Sequence, residues 1–111
     1  MLEKELGQAS KMAQQANREV EKLRARLLKE SEKAVAQGKK ELSAARRKQT
    51  AANARLKKAR AAFRSRPTTD NEKKLQELMK QATHMRDLVA DLASDVASAV
   101  EKLVPLKTDA L

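Results

Sequence analysis

The chain has 111 residues, 36% of them charged, with 25 lysines and arginines against 15 aspartates and glutamates and a formal net charge of +10. That length allows one domain at most. With one aromatic residue (Phe63), two glycines and two prolines, the composition is that of long helices or coiled coils, which excludes a β-sandwich or an α/β enzyme. The absence of cysteine rules out disulfides and thiolate zinc sites.

The opening MLEKELGQASKM carries charges in its first five residues and no apolar core, so it does not read as a secretory signal. No apolar run approaches the roughly 18 residues that span a bilayer. A soluble, cytoplasmic protein is expected, and the lack of aromatic anchors argues against a membrane partner.

From Leu2 onward, Leu6, Ala9, Ala13, Ala16, Val20, Leu23 and Leu27 recur at alternating steps of three and four. That spacing puts them on one helix face as a heptad seam. The alternation restarts one residue later, at Leu28, and continues through Val35, Leu42, Gln49, Leu56 and Phe63, with Ser31, Gly38, Ala45, Ala52 and Ala59 between them. The seam therefore changes register at Leu27 and Leu28.

Pro67 disfavours helical geometry at Arg66 and cannot donate to a continuing helix. Thr69 and Glu72 have capping-box spacing, and Asp70 and Glu72 suit the positive end of a new helix. The second helix carries Leu75, Leu78, Ala82, Met85, Val89, Leu92, Val96, Ala99 and Leu103 on its seam. Pro105 is expected to end it. The expectation is one all-α domain over residues 1–104: helix 3–64, turn 65–69, helix 70–104, and a flexible tail at 105–111.

Two seams joined by a short turn imply an antiparallel coiled-coil hairpin with a longer first helix. The second helix reaches back to about residue 30 at about 1.5 Å per residue. Residues 2–27 then project as an arm whose alanine-rich seam buries too little area to stand alone. Its seam, Leu6, Ala9, Ala13, Ala16, Val20, Leu23 and Leu27, is the candidate interface for a second copy or a helical protein partner. The alternative fold is a three-helix bundle broken near Gly38. A continuous helix is preferred because Gly38 falls on the uninterrupted heptad register.

The charge excess lies in one segment. Residues 39–66 carry Lys39, Lys40, Arg46, Arg47, Lys48, Arg55, Lys57, Lys58, Arg60, Arg64 and Arg66 against the single acid Glu41, a net +10. Residues 1–38 carry +2 and residues 67–111 carry −2, so the ends cancel. A run of this kind is either a solvated face that keeps a thin protein soluble or a surface for phosphate, with salt-dependent and largely sequence-independent affinity. Sequence-specific reading has no support, since zinc-finger spacing and base-stacking aromatics are both missing. The run also ends in a turn instead of feeding a parallel zipper.

Catalytic residues, metal ligands and cofactors are not expected. His84 is a lone histidine on a helix. Asp87, Asp91 and Asp95 recur every four residues as an acidic stripe that suits either solvent or a basic helix. Ser65, between Arg64 and Arg66, is an accessible phosphoacceptor only in the weak sense common to such sites.

The segments ESEKAVA (residues 30–36), ARRKQTAANARLKKARAAF (45–63) and DLVADLASDVASAV (87–100) resemble the N-terminal helical region of the AlgP family of alginate regulatory, histone-like proteins. The resemblance covers residues 28–103 and implies a bacterial, nucleoid-associated or transcription-regulating role. That family's lysine-, proline- and alanine-rich repeat tail has no counterpart in these 111 residues. The resemblance therefore implies a folding or assembly module in which nucleic-acid contact falls to Arg46 through Arg66 or is absent. The expected function is a non-enzymatic hairpin that self-associates and binds nucleic-acid backbone through its basic half. The alternative is a protein-protein adaptor working through the alanine-rich arm.

Overall fold

A computed structural model describes residues 1–109. Helix α1 spans Leu2–Ser65 and α2 spans Thr69–Asp109, packed antiparallel as a hairpin of 96 × 19 × 14 Å. The long dimension is what the 64 residues of α1 span at about 1.5 Å each. Hence α1 runs the full length unbroken, and the three-helix alternative does not form.

Gly38 explains how. A Cβ added there would lie 3.1 Å from Cγ2 of Val96, so the glycine lets the helices approach closely instead of breaking α1. That contact also fixes the register. Stepping from it toward the turn, by alternating three and four residues on both helices, aligns Leu42 with Leu92, Ala45 with Val89, Gln49 with Met85, and Ala52 with Ala82. Leu56 with Leu78, Ala59 with Leu75, and Phe63 with Asn71 complete that half. In the other direction Val35 aligns with Ala99, Ser31 with Leu103, and Leu28 with Leu106. These layers take in every buried or half-buried position of α1 and all of those on α2 except Ala93.

The core is one seam wide. Its buried side chains are Val35, Leu42, Ala45, Ala52, Ala59, Ala82 and Leu103, and four of these seven are alanines. Small residues on α1 face larger ones on α2 at Gly38, Ala45 and Ala59, which keeps the layers filled without spreading the helices.

The turn is shorter than expected, at residues 66–68, and its cap is Thr68 rather than Thr69. Arg66 closes α1 in an extended conformation (φ −138°, ψ 95°), as a residue before proline must. Its amide donates to the Ala62 carbonyl at 2.9 Å. The Thr68 amide donates to the Arg66 carbonyl at 2.8 Å, closing a three-residue turn around Pro67. The Asn71 amide then donates to Thr68 Oγ1 at 3.2 Å, an N-cap bond. Glu72 stands one position too late for the reciprocal bond of a capping box. Asn71 instead donates from Nδ2 to the Arg66 carbonyl at 2.8 Å and the Ala62 carbonyl at 3.4 Å, tying the start of α2 to the end of α1.

The expected stop before Pro105 is corrected as well: α2 passes through it to Asp109. Proline removes the amide that would bond to the Glu101 carbonyl. Both Pro105 and Glu101 are exposed, so water can serve that carbonyl. Leu103 is buried and Leu106 half-buried, so the seam against α1 extends past the proline and holds the chain helical. The last two residues of the expected tail, 110 and 111, lie outside the described residues.

Residues 1–27 are all exposed. The apolar members of the arm's seam stand in solvent, with Leu6 at 68% and Leu23 at 55% of full exposure. No helix among the described residues is long and apolar enough to cross a membrane.

Candidate nucleic-acid interface

Each cation of residues 39–66 falls off the seam of α1, and its position in the heptad fixes its direction. Lys39, Arg46 and Arg60 flank the seam on one side, and Lys48 and Arg55 flank it on the other. Lys40, Arg47, Lys57, Lys58 and Arg64 occupy the outer face between them, and Arg66 stands at the turn. All eleven are exposed. Long side chains at such positions lay their stems along the helix and hold their charges in water.

These cations occupy about 40 Å of helix at about 1.5 Å per residue. Among the described residues, none of the eleven side chains makes an ion pair. Asp70, Glu72 and Glu77 at the start of α2 are exposed and leave the charge of the basic run unpaired. Like charges at steps of three and four, Lys57 with Arg60 and Arg60 with Arg64, repel one another. An external polyanion would relieve that repulsion.

The hairpin adds cations that a reading of α1 alone does not reach. An open groove of about 590 Å³ between the helices is lined by Lys48, Ala51, Ala52 and Arg55 from α1 and by Glu77, Lys80, Gln81, His84 and Met85 from α2. Lys80 thereby joins Lys48 and Arg55. On the opposite flank a groove of about 260 Å³ brings Arg86 beside Asn53 and Arg60. The missing signal was the register between helices: Lys80 and Arg86 look unremarkable in sequence until Gly38 is set against Val96.

Two of the other candidates, His84 and Asp87, border this surface, and the rest lie away from it. His84 is exposed at the edge of the larger groove. Asp87 lies 3.6 Å from its neighbour Arg86, while Asp91 and Asp95 continue an exposed stripe along α2. Among the described residues no group of three histidines, cysteines or carboxylates is placed to hold a metal ion. Ser65 is exposed as the last residue of α1. The interface residues of the arm, Leu6 through Leu27, lie on the same helix as the basic run but ahead of it in the chain, so the two candidate surfaces are separate in space. No protein-family model matches the chain, and neither does any curated protein or solved structure.

Proposed function

We propose that the protein is a non-enzymatic, self-associating helical hairpin whose basic half binds the phosphate backbone of nucleic acid in a regulatory or nucleoid-associated role. The observation that carries this is the concentration of ten solvent-facing cations on α1 and an eleventh, Arg66, at its end, over about 40 Å, with none of them in an ion pair among the described residues. With Glu41 counted, residues 39–66 carry a net +10, equal to the net charge of the whole chain. Each cation that meets a phosphate releases a condensed counterion, so affinity comes from the number of contacts and not from base identity. The narrow, rod-like hairpin spreads these cations along its length, as suits a backbone binder. Lys80 and Arg86 extend the charged surface onto α2.

A second reading has its own observation, the exposed apolar seam of the arm. On that reading the arm is a protein-protein adaptor and the cations serve solubility. Two sets of substitutions separate the readings. Arg46→Glu, Arg47→Glu and Arg55→Glu together are expected to abolish binding to a random-sequence DNA duplex while leaving association between proteins intact. Polar replacements at Ala13, Ala16 and Val20 are expected to do the reverse. Binding to the duplex that survives the three charge reversals would refute the nucleic-acid function.

A further inference from the structure

The arm's seam reads alike from either end. Its positions, 2, 6, 9, 13, 16, 20, 23 and 27, are symmetric about the point between residues 14 and 15. If a second copy lies antiparallel on this face about that point, Leu27 falls opposite Leu2 and Leu23 opposite Leu6, giving leucine layers at both ends. Between them Val20 meets Ala9, and Ala13 meets Ala16 across the axis. These are the alternating layers of an antiparallel coiled coil, the same geometry that α1 and α2 already use within one chain.

The charges beside the seam follow the same symmetry. Glu3 and Glu5 flank it at one end, and Arg24 and Arg26 flank it at the other. In the antiparallel arrangement Glu5 faces Arg26 of the second copy on one side, and Glu3 faces Arg24 on the other. Each pair occurs twice by symmetry. In a parallel arrangement Glu5 would instead face Ser10 and Arg26 would face Ser31, so neither would find a partner of opposite charge.

Space is left for this partner. The register change at Leu27 and Leu28 turns the arm's seam by about 100° from the seam covered by α2. The last seam residue of α2, Leu106, is level with Leu28, and α2 runs on to Asp109 at the level of residue 25, so a partner arm covering residues 2–27 lies beside the last residues of α2, on an adjacent face.

We infer that two chains associate through residues 2–27 as an antiparallel dimer centred between residues 14 and 15, with Glu5 of each chain facing Arg26 of the other. The inference rests on the self-association in the proposed function and specifies its geometry. The arms overlap over about 39 Å, and the two basic segments begin about 70 Å apart, pointing in opposite directions. Such a dimer carries one polyanion-binding surface at each end and is built to hold two duplex segments together.

The test uses sedimentation equilibrium of the full chain without nucleic acid, so that it is independent of the binding activity. Glu5→Arg and Arg26→Glu each turn two attractive pairs into two repulsive ones, and each is expected to weaken the dimer about ten- to thirtyfold. An equimolar mixture of the two variants is expected to regain the parental affinity, because every pair in the mixed dimer is again of opposite charge. Residues 5 and 26 lie about 31 Å apart on one helix, so such recovery can only arise between chains. A parent chain that stays monomeric would overturn both the self-association and its geometry. Association of the parent with no recovery in the mixture would overturn the antiparallel register alone.

Discussion

Replacing Gly38 with leucine drives a side chain into Val96 at the point that sets the register between the helices. Any Cβ at position 38 begins 3.1 Å from Cγ2 of Val96, inside the about 3.5–4.0 Å at which carbon atoms attract. The three further carbons of leucine crowd the seam at this half-buried position beside Val96. Overpacking of this kind costs about 1–3 kcal/mol, and the gain in helix propensity over glycine returns about 1 kcal/mol. The expected net loss is up to about 2 kcal/mol, read as a lower urea midpoint by circular dichroism at unchanged slope. Gly38→Ala has the same propensity gain but needs Val96 to move only slightly, so it is expected to be nearly neutral. Val96→Ala in the Gly38→Leu background removes the opposing methyl groups and is expected to recover at least half of the loss, a coupling that a double-mutant cycle isolates. A Gly38→Leu variant as stable as the parent, with no coupling to position 96, would refute the register.

Further tests bear on the turn, the arm and the core. Asn71→Ala removes the side chain that bonds to the Arg66 and Ala62 carbonyls and is expected to cost about 0.5–1.5 kcal/mol in the same titration; no change would mean those bonds are dispensable. Gly7→Ala adds a methyl group where nothing lies within 4 Å, so it is expected to raise helicity and stability by up to about 1 kcal/mol. Leu42→Ala and Leu23→Ala delete the same atoms at 8% and 55% exposure. The first is expected to lower the stability of dilute protein by about 2–3 kcal/mol. The second should cost well under 1 kcal/mol in dilute protein and act mainly on self-association, as sedimentation would show.

Much of the hairpin is legible in the sequence because a heptad seam is a one-dimensional signal. Leu28 through Phe63 and Leu75 through Leu103 name their own buried faces, and Pro67 marks the turn by removing a donor. What is not legible depends on contacts between helices. Thr69 matched the capping pattern, but the three-residue turn around Pro67 lets Thr68 take that role one position earlier. Pro105 looked like a stop because its local cost is visible, whereas the packing of Leu103 and Leu106 that outweighs it appears only once α2 is laid on α1. Lys80 and Arg86 entered the charged surface for the same reason. The exposure of the ten cations of α1 between Lys39 and Arg64 is legible in full, since charge at positions off a seam is exposed in any arrangement that buries the seam.

The most direct measurement is the affinity for a random-sequence DNA duplex across salt concentration, with the mass of the protein in solution known. If about five of the cations on residues 39–66 meet phosphates at once, the logarithm of affinity should fall against the logarithm of salt with a slope of about −4.5. Affinity should then drop about 500-fold between about 50 and 200 mM salt. A slope near zero, or no detectable binding at low salt, would contradict the phosphate-binding function and leave the basic run as the solvated face of a helical hairpin.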